Sequence, residues 1–224
     1  MSKSADVFNL MDSLLAPSDQ VEITEPGEVQ RLYAGIGMPA LRAAELAEQN
    51  RLFTYHEIKA AHPLFRLSDP IRLRRQYEQL RAEALQGDAD ALNDLGWLWL
   101  NGSRLKPEPL LARRLFKIAA VLGSSEALFN LAEQAFYGKG VRANPLLAID
   151  YYEQAFESGI PCAAQALGGL YERGDKGVPI DHAKAIAWYK RGADEQDTMA
   201  CFLHGRLALD ESSSEYSQAV GLYW

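Results

Sequence analysis

Four histidines and two cysteines are the side chains of this sequence best suited to bind a metal ion or to serve as base and nucleophile. They are His56, His62, His182, His204, Cys162 and Cys201. A zinc site needs such residues, together with Asp or Glu, clustered at characteristic spacings. None of the histidines lies in a cluster of this kind, so we expect no metal and no other cofactor.

Other catalytic patterns are equally sparse. The "GKG" at residues 138–140 is far shorter than a phosphate-binding loop, and no G-x-S-x-G nucleophile motif occurs. Cys162 lies one residue before a recurring alanine, and Cys201 lies one residue after another copy of it. This offset places the two cysteines on different helix faces. We therefore expect no disulfide between them and no enzymatic activity.

The composition argues against two classes of partner. The 224 residues carry a net charge of −7, whereas nucleic acids and anionic membranes attract clustered Lys and Arg. No stretch approaches the ~20 apolar residues of a membrane span. Near the start, Lys3 is followed by Asp6 and Asp12 and not by the apolar run of a signal peptide. We expect a cytoplasmic protein that does not insert into membranes.

Columns of small residues recur through the second half of the sequence. Alanine recurs at intervals of 36, 36 and 37 residues, at Ala91, Ala127, Ala163 and Ala200. A second small column has the same intervals, at Gly96, Ala132, Gly168 and Gly205. Loop glycines follow at Gly102, Gly138 and Gly174. A period of this length indicates repeated helical units.

Each unit also has a second helical run, which opens on an alanine and carries a bulky pair. The pairs are Leu115–Phe116, Tyr151–Tyr152, Trp188–Tyr189 and Leu222–Tyr223. The unit is therefore helix A, a loop containing glycine, helix B and a turn. Glycine costs about 1 kcal/mol relative to alanine inside a helix. We explain Gly168 by a close approach of helix B, and we expect the missing side chain of Gly169 to deepen a binding groove.

This pattern resembles the Sel-one-like repeat family, a relative of the tetratricopeptide repeats. The best copy is "AAQALGGLYERGDKGVPIDHAKAIAWYKRGA", residues 163–193. The resemblance implies an all-α fold, a right-handed α-solenoid of helix-turn-helix repeats. Two loops depart from the family pattern: "SRLKPEP" in the first copy lacks the usual glycine–valine, and "DESSSEYSQ" replaces the glycine loop in the fourth.

The repeats divide the chain into two regions, an N-terminal helical extension at residues 1–66 and a repeat region at residues 67–224. The repeat region opens on a segment like helix B at residues 70–86. Its repeats span residues 87–122, 123–158, 159–195 and, incompletely, 196–224.

Both ends of a repeat array need a cover. At the N-terminal end we expect short helices at about residues 5–15 and 39–50 and after the capping-box pattern at 54–57, with a separate effector module as the alternative. The fourth repeat stops at Trp224 without its closing small residues. We expect either a fragment of a longer array or an edge covered by another protein or by self-association of this chain.

Tetratricopeptide-type superhelices line their concave groove with the A helices, and the resemblance implies the same arrangement here. The outward positions of the A helices vary between copies and carry acids and large aromatics, as recognition sites do. The candidate binding residues are Asn93, Trp97, Asn101, Phe129, Glu133, Tyr137, Gln165, Gly169, Arg173 and Arg206.

The sequence therefore predicts a non-enzymatic scaffold or adaptor that binds a basic or amphipathic peptide or protein in this groove. A first alternative is a regulatory or immunity-type inhibitor that binds a folded enzyme or toxin. A second alternative is a hydrolase, because some cysteine-rich Sel-one-like proteins have been linked to β-lactam binding. Two cysteines without a pair inside one repeat do not fit that pattern.

Overall fold

The computed structural model describes residues 14–21, 70–101 and 105–208. This part of the chain forms eight α-helices: α1 (Pro70–Leu85), α2 (Ala89–Asn101), α3 (Pro109–Leu122), α4 (Ser125–Tyr137), α5 (Pro145–Glu157), α6 (Cys162–Arg173), α7 (His182–Asp194) and α8 (Thr198–Ala208). Even-numbered helices are the predicted A helices and odd-numbered helices are the predicted B helices. The all-α class, built from consecutive helix-turn-helix repeats, is confirmed.

The chain divides into two compact units after Ala143. In the first unit α2 packs against α1 and α3, and α3 packs against α4. In the second unit α6 packs against α5 and α7, and α7 packs against α8. Consecutive A helices also touch inside each unit, α2 with α4 and α6 with α8. Each unit therefore has a surface built by two A helices.

Prolines and glycines set the ends of the helices. Helices α3 and α5 begin at Pro109 and Pro145, because the φ angle of proline suits the first helical turn. Helices α4 and α6 are capped by Gly138 and Gly174, whose φ angles are 72° and 63°. Glycine adopts this left-handed conformation at least cost. Two of the three predicted loop glycines thus end helices, while the third, Gly102, lies outside the described residues.

Aromatic rings of the B helices cover two glycines of the small column. A Cβ atom built on Gly168 would lie 2.4 Å from Cε1 of Tyr189 in α7. One built on Gly96 would lie 2.7 Å from Cε1 of Phe116 in α3. Both rings belong to the predicted bulky pairs and are buried. Real Cβ atoms essentially never approach within 3.0 Å, so the predicted close packing at Gly168 is confirmed.

Gly169 has a different neighbour, the guanidinium group of Arg173 in the same helix. A Cβ atom at Gly169 would lie 2.9 Å from Nη1 of Arg173, and Gly169 itself is buried. The space left by the missing side chain is therefore filled by Arg173. This corrects the expectation that Gly169 forms an open groove floor.

A short N-terminal segment docks on α1. The Tyr77 hydroxyl donates a hydrogen bond to the carbonyl oxygen of Ala16 at 2.9 Å, and Arg81 Nε donates to that of Leu15 at 2.8 Å. Leu15 is fully buried, and burial raises the pKa of Tyr77 to about 12. These contacts support a covering role for the extension. The helices predicted at residues 39–50 and after residue 54 lie outside the described residues. So do residues 5–13 of the helix predicted at residues 5–15 and the edge at residues 209–224.

His204 occupies an interior position of α8. It stands where the other repeats have leucine before the small column, and only 4% of its surface is exposed. Burial lowers the pKa of His204, the charge of Lys190 lowers it further, and Asp194 partly opposes the shift. The folded protein therefore favours the neutral form of His204.

Gly168→Ala is expected to destabilise the protein, whereas Gly169→Ala is not. The new methyl group at residue 168 must displace the Tyr189 ring, and overpacking of this kind costs about 1–3 kcal/mol. At residue 169 the flexible Arg173 side chain turns aside, while alanine gains about 1 kcal/mol of helix propensity. Urea unfolding followed by circular dichroism measures both effects. Equal unfolding midpoints for the two variants would contradict the packing of the small column.

His204→Leu is expected to reduce the loss of stability at acidic pH. Because folding depresses the pKa of His204, the unfolded chain binds more protons than the folded one below about pH 6.5. The free energy of unfolding therefore falls as the pH decreases through that value, and leucine removes this contribution. Urea midpoints at about pH 7.5 and about pH 5.5 test the difference. The control is His182→Leu at an exposed site, and an unchanged pH dependence in His204→Leu would overturn the assignment.

Candidate protein-binding surfaces

The candidate site residues fall into two groups. Six of them lie on α2 and α4 of the first unit, and four lie on α6 and α8 of the second. Each group therefore comes together on a pair of neighbouring A helices, as the repeat pattern predicted. A single groove that runs through both units stays a prediction.

The A helices of the first unit present aromatic and acidic side chains. We call this set the unit 1 surface, and its members are Asp90, Trp97, Glu126, Phe129, Glu133 and Tyr137. Asp90 and Glu126 are exposed, and the other four are half-buried. Half-buried aromatic rings offer apolar area for contact, and aromatic residues are enriched in protein interfaces.

Asn93 and Asn101 do not belong to this exposed surface. Their side chains are buried, with 2% and 4% of their surface accessible. Asn93 Nδ2 donates a hydrogen bond to Glu126 Oε2 at 3.3 Å, and Asn93 Oδ1 accepts one from Asn130 Nδ2 at 2.8 Å. Asn93 therefore joins α2 to α4 and positions Glu126. This corrects the assignment of both asparagines to an open groove, and Asn130 is a partner that the spacing did not identify.

The ring of Tyr137 is held from two sides. It packs edge-on against Phe136, with ring centroids 4.9 Å apart and an interplanar angle of 74°. The Lys139 ammonium lies 5.4 Å from its centroid. The buried Gln134 side chain donates through Nε2 to the carbonyl oxygens of Pro109, at 2.7 Å, and Lys139, at 3.1 Å. These contacts fix the turn after α4, and a ring held in place loses little conformational entropy when a partner binds.

The carboxylates beside the unit 1 surface repel one another. The pKa of Asp94 is raised to about 6, first by burial and then by the negative charges of Glu126, Asp90 and Asp88. A hydrogen bond from Asn93 opposes this shift. Bringing a cationic group to this side of α2 would relieve the repulsion, because an opposite charge favours the ionised carboxylate.

The A helices of the second unit present a more basic set of side chains. We call it the unit 2 surface, and its members are Gln165, Gly169, Glu172, Arg173 and Arg206. Glu172 Oε1 pairs with Nη2 of Arg206, and Glu172 Oε2 accepts a hydrogen bond from the Tyr189 hydroxyl at 2.7 Å. Burial and the charge of Glu172 raise the pKa of Tyr189. Tyr189 therefore remains a neutral donor that orients Glu172.

A separate cluster lies on the B helices α5 and α7. The guanidinium carbon of Arg191 lies 4.2 Å from the ring centroid of Trp188 and 4.6 Å from that of Phe156. Arg191 also pairs with Glu157. The two rings meet edge-on, with centroids 5.6 Å apart. The repeat pattern singled out Trp188 as one of a bulky pair but not this cluster, because Phe156 and Arg191 belong to different copies.

Comparison with known proteins identifies the repeats. The Sel1 repeat model matches residues 89–124, 125–160 and 163–197. A crystal structure of a Sel1 repeat protein from Oxalobacter formigenes is 31% identical, with a TM-score of 0.50, and the match covers 59% of this chain and 98% of that one. The chain belongs to the Sel1 repeat family. Proteins of this family generally mediate protein–protein interactions.

Two other similarities cover smaller parts of the known proteins. A protective antigen of uropathogenic Escherichia coli that displays this repeat fold is 23% identical, with a TM-score of 0.57, over 88% of this chain and 39% of its own. That likeness concerns the fold alone. Chitin synthase regulatory factor 1 of Schizosaccharomyces pombe is 35% identical over 94 residues, which are 41% of this chain and 21% of the yeast protein. The Sel1 repeat chain thus spans a small fraction of that relative's length.

Three further properties concern the described part of the chain. None of the helices α1–α8 combines the length and the apolar character needed to cross a membrane. Within the same ranges, no group of three or more His, Cys, Asp or Glu side chains is arranged to hold a metal ion. Neither Cys162 nor Cys201 forms a disulfide in this structure.

Asp94→Asn is expected to stabilise the protein at neutral pH. Because the folded-state pKa is raised, the stability contributed by protonated Asp94 is present below about pH 4 and is lost as the pH rises through about 6. An amide cannot ionise and so avoids the repulsion from Glu126 and Asp90. Urea midpoints at about pH 4 and about pH 7.5 measure the effect. Asp90→Asn at an exposed position is the control, and an Asp94→Asn variant less stable than wild type at neutral pH would contradict the electrostatic account.

Proposed function

We propose that this Sel1 repeat protein is a non-enzymatic adaptor that binds a basic or amphipathic segment of a partner protein on the unit 1 surface. The observation that supports this best is the position of three aromatic rings, Trp97, Phe129 and Tyr137, on the helices that carry mutually repelling carboxylates. Aromatic residues supply apolar contact, and the carboxylates select positive charge. Family membership supports protein binding in general, and the unit 1 surface supports this particular chemistry.

The aromatic side chains supply the apolar part of the interaction. Trp97, Phe129 and Tyr137 are already half-buried, so a partner needs to cover only their remaining surface. Each square ångström of apolar surface removed from water contributes roughly 25 cal/mol. Tryptophan and tyrosine are the residues most often found among the few that dominate binding energy. The edge-on contact of Tyr137 with Phe136 keeps one of these rings oriented before binding.

The carboxylates supply specificity for a cationic partner. Burial raises the pKa of Asp94 most, and the negative charges of neighbouring carboxylates raise it further. A lysine or arginine from a partner would reduce this second contribution. The net charge of −7 adds long-range attraction for a basic segment. The partial likeness to a regulatory factor from yeast favours an adaptor that adjusts the activity of another protein.

Two double variants test the proposal, one on the A helices of the first unit and one on the B helix α3. Trp97→Ala with Tyr137→Ala removes two rings from the unit 1 surface. Leu110→Ala with Val121→Ala removes two apolar side chains from α3 that are 61% and 86% exposed. Immobilised wild-type protein and both double variants are used to capture partners from a lysate of the native source, and circular dichroism melts confirm folding. We expect the first pair to lose a partner that wild type and the α3 pair both retain.

Retention of every partner by the Trp97 and Tyr137 variant would place the binding site elsewhere and refute the proposal. A charge reversal gives an independent readout, because Glu133→Lys should weaken capture of a basic partner and make the remaining binding less sensitive to salt. Recovery of one folded enzyme whose activity is blocked by the wild-type chain would instead identify an inhibitor, the alternative that the sequence left open.

A further inference from the structure

We propose that the unit 2 surface binds a carboxylate of an acidic protein segment, with the guanidinium of Arg173 as the main contact and Arg206 beside it. The inference goes beyond the proposed function, which concerns a basic segment on the unit 1 surface. The two proposals use different residues and ligands of opposite charge, so each can fail without the other.

The first observation is an unused donor on Arg173. Its Nε atom is buried, yet it has no hydrogen-bond acceptor among the described residues. A buried donor without a partner costs about 1–3 kcal/mol, and more when the group is charged. The Arg173 side chain as a whole is only partly buried, so a small shift of it would bring Nε to an oxygen atom of a ligand and remove this cost. The gain on binding is therefore larger than for an arginine whose donors already have acceptors.

The second observation is that the neighbouring carboxylate is occupied. Glu172 is the acid next to Arg173 in the chain, and each of its oxygens already has a partner, Arg206 on one and the Tyr189 hydroxyl on the other. Both oxygens of Glu172 therefore already have partners other than Arg173. The positive charges of both arginines act on Tyr189 and oppose the rise of its pKa, so two cationic side chains contribute to the charge of this surface.

The third observation is the position of the Arg173 guanidinium against Gly169. Measured from a Cβ position at Gly169, its Nη1, Nη2 and Cζ atoms lie at 2.9, 3.1 and 3.3 Å. The two Nη atoms lie nearer than Cζ, so the guanidinium directs its Nη1–Nη2 edge towards the helix at Gly169. Its Nε atom therefore lies on the far side of Cζ from Gly169. A residue with a Cβ atom at position 169 would displace the Arg173 guanidinium from this position.

These features match a carboxylate better than other ligands. Arginine presents donors in a planar fork that fits the two oxygens of a carboxylate. Gln165 lies one helical turn before Gly169, on the same face of α6, and its amide group can add a further hydrogen bond. Because the surface is formed by the A helices of a protein-binding repeat, we assign the carboxylate to an acidic segment of a partner protein.

The experiment uses the full chain and a short fluorescein-labelled peptide rich in glutamate, followed by fluorescence anisotropy at low salt. Its glutamine counterpart is the control ligand. Arg173→Gln should weaken binding of the glutamate peptide about tenfold, the equivalent of 1.4 kcal/mol. Arg191→Gln is the matched control, because it removes the same charge from the same unit at a site already paired with Glu157. Gly169→Ala keeps both arginines but displaces the guanidinium, so it should also weaken binding severalfold.

A signal from the Arg173 side chain provides a second measurement. In a ¹⁵N–¹H NMR spectrum of the arginine Nε–H groups, the Arg173 signal should shift when the glutamate peptide is added and should stay unchanged with the glutamine peptide. The proposal is overturned if the glutamate peptide does not bind, if Arg173→Gln and Arg191→Gln weaken it equally, or if the Arg173 signal does not move. Binding of inorganic phosphate without binding of the peptide would also overturn it, by reassigning the site to a small anion.

Discussion

The contact between an aromatic ring of helix B and a glycine of helix A is the constraint on which both units depend. Tyr189 over Gly168 and Phe116 over Gly96 bring the two helices of a hairpin closer than any larger residue would allow. The two rings are fully or almost fully buried, so the contact buries apolar surface as well as setting the distance between the two helices. It also explains why a residue with poor helix propensity recurs inside an A helix, since tertiary packing outweighs local preference.

This packing leaves the opposite side of each A helix free to differ from copy to copy. The small and bulky columns recur with little change, whereas the outward positions include tryptophan, glutamate, glycine and arginine at equivalent places. Tyr189 belongs both to the packing core of its hairpin and to the variable surface. Its ring fills the space above Gly168, while its hydroxyl holds Glu172 on the unit 2 surface. The residue that orients Glu172 on the variable unit 2 surface is thus also part of the repeated packing core of the hairpin.

Much of the architecture could be predicted from the sequence because it depends on period and on a few residue types. The intervals of the alanine and glycine columns identified the repeat, and the glycines after α4 and α6 marked where these helices end. The exposure of individual side chains was harder to predict. Helical spacing tells which residues share a face, but an A helix contacts both a B helix and the next A helix. Asn93 lies on the boundary and is buried, although its neighbours Trp97 and Phe129 remain partly accessible. The contact of the Arg173 guanidinium with Gly169 could not be predicted either, because it depends on the conformation of a long side chain.

The buried amide of Asn93 has a consequence for the order of the repeats. Packing columns that are nearly identical in every copy would let one hairpin stack on another in several arrangements of similar energy. Asn93 can satisfy its hydrogen bonds where the facing helix supplies Glu126 and Asn130. At the corresponding positions of α6 and α8, the pair of A helices in the second unit, the sequence has Gln165, then Met199 and Leu203, and neither of the last two supplies a carboxylate or an amide. A buried polar side chain without partners is costly. The hairpins are therefore not interchangeable modules, because exchanging two of them would leave this amide unsatisfied.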